Sequence, residues 1–164
     1  MHRIKESHIE ITDKETVQKL RSMGGGFEND GKIEISFLEA AYFAQNKIIE
    51  NLNESELIAL AGKTDSKAEL KFQVLRTLRN RGYAIRPSIE NNNYMRLHRK
   101  GIRPGEDKTS SIVKVFEKSE KFDLKTIKED LVFSSQVRKE LVYAVVDEKD
   151  GDIEFIKISK TEFD

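Results

Sequence analysis

The chain has 164 residues, 35% of them charged and 37% hydrophobic, with 29 Lys and Arg against 29 Asp and Glu and with neither Cys nor Trp. This composition excludes a disulfide framework, a thiolate metal cluster and a cysteine nucleophile, and no apolar run approaches the roughly 18 residues that a membrane-spanning helix needs. The start, Met1-His2-Arg3-Ile4-Lys5-Glu6, lacks the apolar stretch of a secretory signal, so a cytoplasmic protein off the membrane is expected, with a Lys, Glu and Ile content that also fits a thermophile.

Ile9-Glu10-Ile11 alternates like a strand, and Thr16 to Leu20 reads as a short helix running into Met23-Gly24-Gly25-Gly26-Phe27. The three glycines read as a turn rather than a phosphate loop, since no Gly-Lys-Ser/Thr follows. Asn29-Asp30-Gly31 marks a turn before the strand Lys32 to Ile35. Ser36-Phe37-Leu38-Glu39 has the form of a capping box and opens a helix expected to run to about Glu50, burying Leu38, Ala41, Tyr42, Gln45 and Ile48 or Ile49. A shorter helix over 56–61 leads to a linker at Gly62-Lys63-Thr64-Asp65, where a domain boundary is expected.

Ser66-Lys67-Ala68-Glu69 has the same capping form and opens a helix with Phe72, Leu75 and Leu78 at helical spacing and a stop at Gly82. The period then changes from helical to alternating, giving strands at Tyr83 to Ile85, Tyr94 to His98 and Ser111 to Phe116. Asp123 caps a helix containing Leu124, Ile127 and Leu131, and a second helical stretch is expected to carry Val137, Arg138 and Lys139. Leu141 to Val146 is apolar throughout and reads as a central strand. The acidic turn Asp147 to Asp152 joins it to an alternating edge strand over 153–158, whose unpaired side is open to another subunit or protected by Lys157 and Lys160.

The zero net charge conceals a segregation. Residues 1–62 carry 7 basic and 11 acidic side chains, residues 63–122 carry 15 and 7, and residues 123–164 carry 7 and 11, so the three segments hold −4, +8 and −4. The basic block, with Arg76, Arg79, Arg81, Arg86, Arg96, Arg99, Lys100 and Arg103, is suited either to phosphate or an acidic protein surface, or to a solvated face neutralised by the rest of the chain. The three histidines, His2, His8 and His98, include no pair at metal-binding spacing, and the acidic run Asp147, Glu148, Asp150, Asp152 lacks the closing Glu of a calcium loop, so no metal is expected.

The run Leu78-Arg79-Asn80-Arg81-Gly82-Tyr83, the strand-like Tyr94-Met95-Arg96-Leu97 and the run Val137-Arg138-Lys139-Glu140-Leu141-Val142-Tyr143-Ala144-Val145-Val146-Asp147 occur in a distinctive order and separation. Over about residues 66–158 this succession resembles the C-terminal domain of the tRNA-intron (tRNA-splicing) endonuclease family. The resemblance implies a small N-terminal αβ domain over 1–62 and, over 63–164, a mixed α/β domain of the restriction-endonuclease-like kind. It also implies RNA cleavage without metal or cofactor, with a Tyr as base, a His as acid and a Lys at the charged phosphorane, yielding a 2′,3′-cyclic phosphate and a 5′-hydroxyl.

The family's Lys position falls on Lys139. Its Tyr position falls on His98 or, with a one-residue shift, on Leu97, and its His position falls within Lys108-Thr109-Ser110-Ser111, which holds no histidine. Ser88 to Asn93 stand where the family has a Gly-rich stretch, and the Arg expected about seven residues before the Lys is Val132. The resemblance therefore implies a structural, non-catalytic subunit of an archaeal-type heteromeric enzyme, with Lys139 vestigial. Its partners would be a homologous catalytic subunit, in a heterodimer or heterotetramer, and precursor tRNA bound at a bulge-helix-bulge. Family subunits pair through their last strands and dock an acidic loop into a basic pocket, which assigns Ile153, Phe155, Ile156 and Ile158 to pairing and Asp147, Glu148, Asp150 and Asp152 to docking. The alternatives are a diverged metal-independent ribonuclease using His98 and Lys139, and a non-enzymatic module that binds nucleic acid or protein.

Overall fold

A computed structural model describes residues 1–88, 93–101 and 109–163. The chain is a mixed α+β protein with two sheets. Strands β1 (His2–Ile4), β2 (His8–Ile11), β3 (Phe27–Asn29) and β4 (Lys32–Ser36) form an antiparallel sheet in the order β1-β2-β4-β3. Helix α1 (Lys14–Ser22) connects β2 to β3, and α2 (Phe37–Gln45) and α3 (Glu54–Gly62) follow β4. Helix α4 (Ala68–Asn80) leads to the second sheet, β5 (Ile85–Pro87), β6 (Met95–His98), β7 (Thr109–Glu117), β8 (Glu140–Val146) and β9 (Ile153–Ile158), arranged in chain order. Helix α5 (Leu124–Gln136) crosses from β7 to β8, which makes that pair parallel and the other pairs antiparallel.

The elements follow from the sequence pattern where the determinants are local. Asp13, Asn53 and Asp123 cap α1, α3 and α5 through their side chains. Strand β8 is apolar because it lies between β7 and β9 and is covered on its faces. One apolar core runs from Ile9, Ile33 and Ile35 of the first sheet through Phe43 of α2 and Leu75 of α4 to Val113 and Ala144 of the second.

Several local expectations give way to long-range partners. Ser36 Oγ does accept the Glu39 N–H at 3.2 Å, but the Glu39 side chain does not return to the helix start. It is wholly buried, accepts the Gly26 N–H at 3.2 Å and forms an ion pair with Arg79 of α4. Burial pushes this carboxyl up from its ordinary range, against the pull of the Arg79 and Arg86 charges. Similarly, Ser66 does not cap α4. Asp65 accepts the Lys67 N–H at 2.9 Å and holds the buried Lys71 ammonium. Helix α2 stops at Gln45, five residues short of expectation, and Gln45 is exposed; Lys47 turns left-handed at φ 56°.

The expected second helix around Val137 does not form. Helix α5 ends in a Schellman turn, with Arg138 N–H donating to Ser135 O at 3.1 Å and Lys139 N–H donating to Ser134 O at 2.9 Å. That turn needs a left-handed residue after the cap, and Arg138 takes φ 55° to provide it. Helices α1 and α4 end in the same hydrogen-bond pattern with Gly24 and Gly82 at that place. A turn normally announced by glycine was thus invisible at Arg138.

The Glu39–Arg79 pair is the interior ionic link between α2 and α4. Glu39→Ala, which strands a buried guanidinium, should lower unfolding free energy by about 3–5 kcal/mol. Glu39→Leu with Arg79→Met should recover only part of that loss, because the Gly26 N–H and the Met23 and Gly24 carbonyls then lose their side-chain partners, both measured by chemical denaturation.

Candidate functional site

The three positions implicated by sequence meet at one end of the second sheet. His98 ends β6 and pairs with Thr109 at the start of β7, with a register irregularity between Leu97 and His98. Ser111 of β7 lies opposite Glu140, the first residue of β8, so Lys139 immediately precedes the same level. Lys108 lies outside the described residues, as do positions 89–92.

His98 does not face solvent. It is 3% exposed, its N–H donates to Ala84 O at 2.9 Å, and its Nε2 lies 2.8 Å from Arg86 Nη2. A guanidinium only donates, so Nε2 is the acceptor and a neutral ring then carries its proton on Nδ1. The ring lone pair that a general base needs is therefore engaged inside the protein. Arg86 also donates to Gly26 O and stacks over Phe27 at 4.6 Å from the ring centre, tying this end of the sheet to the glycine turn of the first. Ser110 Oγ donates to Leu97 O at 3.2 Å, and Lys139 is partly buried in the turn after α5.

The basic block separates in three dimensions. Arg79 is interior rather than on the surface, donating to Met23 O at 2.8 Å and Gly24 O at 3.0 Å as well as pairing with Glu39. Arg86 is half-buried as described. Arg76 is exposed, with its guanidinium 5.8 Å from the Phe72 ring centre, and Arg81, also exposed, reaches the Phe155 ring of β9. Arg96, Arg99 and Lys100 are exposed on and just after β6, while Arg103 lies outside the described residues.

A polar cluster that sequence reading missed lies under α5. Asp130, 3% exposed at its side chain, accepts the phenols of Tyr94 and Tyr143 and the Lys114 ammonium at 3.0 Å. Burial, followed by the hydrogen bond to Asp130, pushes both phenol pKa values far up, so both remain donors. Its only signal in the sequence was a helix acid, two strand residues and the tyrosine that precedes β6, and nothing local pairs them.

The hairpin after β8 is closed by its own carboxylates. Asp147 accepts the Lys149 N–H at 3.0 Å and Lys118 Nζ at 3.2 Å, and Asp150 accepts the Asp152 N–H at 3.0 Å. Glu148 and Asp152 project outward; a hydrogen bond with Glu117, aided by partial desolvation, raises the Glu148 carboxyl. Among the described residues, strand β9 pairs only with β8 and forms the sheet edge, with Ile153, Phe155 and Ile158 partly buried and Ile156 42% exposed. Among the described residues, no group of three or more acidic or histidine side chains is placed to hold a metal ion, and no helix is long and apolar enough to cross a membrane.

The Lys149 N–H, then Lys118, hold the Asp147 carboxyl below its ordinary value. With the folded value the lower one, this group's stabilising contribution is fully present above the usual Asp value of about 3.9 and is lost as pH falls through the folded value. In an amide NMR titration, the Lys149 and Gly151 signals should hold their native shifts down to about pH 4 and move below it. Lys118→Ala should move that titration upward.

The sequence pattern described as tRNA intron endonuclease, catalytic C-terminal domain, matches residues 68–155. A tRNA-splicing endonuclease of Pyrococcus furiosus is 31% identical over 157 residues, covering 92% of this chain and 89% of the relative. One of Thermococcus onnurineus is 29% identical over 140 residues, covering 82% of this chain and 80% of the relative. One of Methanosarcina mazei is 28% identical over 155 residues, covering 90% of this chain but 43% of the relative.

Proposed function

This chain belongs to the tRNA intron endonuclease family, and from that premise we propose that it is a structural, non-catalytic subunit of a heteromeric tRNA-splicing endonuclease. The observation that carries this reading is His98, which with Leu97 is one of the two residues that the family resemblance brings to the position of the basic Tyr, and which is buried with its Nε2 engaged by Arg86, while a leucine has no base to offer. Cleavage requires a proton to leave the 2′-hydroxyl and another to reach the 5′ oxygen, and each assisted transfer is worth about 10²–10⁴-fold. With no histidine in 108–111, Lys139 lacks both proton-transfer partners.

The surfaces suited to assembly are, by contrast, intact. Strand β9 offers an unpaired edge, and the hairpin presents Glu148 and Asp152 on a turn held by Asp147 and Asp150. We assign the partner as a homologous subunit with a complete Tyr, His and Lys set, in a heterodimer or heterotetramer acting in the cytoplasm. In this reading residues 1–62 are the small N-terminal domain and 63–164 the family domain. The complex binds precursor tRNA at a bulge-helix-bulge by shape and phosphate contacts. The Methanosarcina mazei relative, of which this chain covers 43%, has length left over for a second such unit, which fits a function shared between two copies of the fold.

The purified chain, in chelator, should leave an intron-containing precursor tRNA uncut, and adding the catalytic homologue should restore cutting. Glu148→Lys with Asp152→Lys, which spares the carboxylates that close the turn, should leave the melting temperature unchanged and reduce co-purification with that homologue at least about tenfold. Cutting by this chain alone, or undiminished assembly of the variant, overturns the proposal.

A further inference from the structure

We propose that Arg138 is an RNA-phosphate contact of this chain, presented at the end of the second sheet by the left-handed turn after α5. The inference rests on the subunit reading above and adds to it a contact made by this chain's own side chain.

Arg138 occupies φ 55°, a conformation that a Cβ disfavours and glycine takes freely. The Schellman turn fixes that conformation, so Arg138 persists at a position better suited to glycine. A cation at a helix C-terminus interacts favourably with the helix dipole, and Lys47 ends α2 in the same way at φ 56°. The two sites differ in their surroundings. Lys47 borders a groove shared with Asp13, Glu15 and Glu50. Arg138 is exposed at the sheet end where Arg99 and Lys100 leave β6 and Lys139 enters β8.

None of those four cations has a side-chain hydrogen bond or ion pair among the described residues. The carboxylate next in sequence, Glu140, is paired with Lys157 at 2.8 Å. Arg99 also acts on Glu140 through space, so among the described residues this sheet end shows more cations than the one carboxylate that meets them, and such a surface selects an anion. An arginine adds a planar fork of donors that matches two phosphate oxygens, and the backbone of folded RNA displays such oxygens at fixed spacing.

The test compares Arg138→Gly with the matched control Lys47→Gly and with Arg138→Lys. The probe is a labelled intron-containing precursor tRNA titrated in chelator over a salt series, using the full chain alone and its complex with the catalytic homologue. Both glycine variants should melt about 2–4 °C higher, because each relieves a left-handed side chain. Only Arg138→Gly should bind the RNA weaker, by about three- to tenfold at low salt, with a salt slope reduced by about 0.7–0.9. Arg138→Lys, which keeps the charge, should fall between wild type and Arg138→Gly.

Unchanged affinity and slope in Arg138→Gly, a loss matched by Lys47→Gly, or no RNA binding by wild type in either form overturns the proposal. Loss of co-purification with unchanged RNA affinity would also overturn it, by assigning Arg138 to a protein partner. Failure of the subunit reading is a separate result: wild type would then neither co-purify with a catalytic homologue nor support its cutting, whatever the Arg138 variants do.

Discussion

Two arginines, Arg79 from α4 and Arg86 from β5, reach back into the turn at Met23 to Phe27, and the rest of the architecture depends on that clasp. Between them they are met by the carbonyls of Met23, Gly24 and Gly26 and by the single carboxylate of Glu39. The turn can lie this close only as glycine. A Cβ at Gly26 would stand 2.5 Å from Ile33 Cγ2 and 2.7 Å from Glu34 O, and one at Gly25 would stand 2.9 Å from the Phe43 ring. Buried ion pairs are a weak source of net stability, because desolvation offsets much of the attraction. Among the described residues, Glu39 Oε2 and Arg79 Nε have no hydrogen-bond partner, which makes that offset larger here. The clasp is better understood as a constraint on arrangement: it admits one seating of α4 and β5 against the glycine turn.

That constraint extends to the sheet end. Arg86 bonds both Gly26 O and the His98 ring, so one guanidinium joins the first sheet's turn to the end of β6, where the proposed reading looks for a base at His98 or Leu97. A catalytic base must expose a lone pair to substrate, whereas this ring spends Nε2 on holding β5 to β6. In the subunit role proposed for the chain, replacing a reactive side chain by an internal one exchanges chemistry for rigidity, and the edges used for assembly are untouched by the exchange.

Features set by neighbours in sequence were legible from it. The cap at Asp123, the apolar run of β8, the alternation of β9 and the stop at Gly82 all depend on local spacing. Features set by distant partners were not. Glu39 sits where a capping acid belongs, and the same spacing serves a pair 40 residues away. Asp65 supersedes Ser66 because it also meets Lys71. A count of +8 over residues 63–122 cannot say which charges are surface, and Arg79 and Arg86 are drawn inward by carbonyls that only the fold assembles. The end of α5 was misread for a related reason: the turn's hydrogen bonds choose the conformation, and the residue there gives no sign of it.

The position of that turn is itself over-determined. Helix α5 is anchored mid-length by Asp130, which draws donors from β7, β8 and the residue before β6, and Tyr94 stacks on Phe133 at 4.6 Å between ring centres. Phenols whose pKa values are raised by burial remain donors throughout the neutral range, so this anchor does not loosen as pH varies there. Two turns of helix beyond Asp130, the chain reaches Arg138 with little freedom left in where its backbone lies. A guanidinium held in this way keeps its side-chain mobility but not its origin, which suits repeated contact with a backbone of regular charge spacing more than it suits a proton transfer, where the reacting atom itself must be fixed.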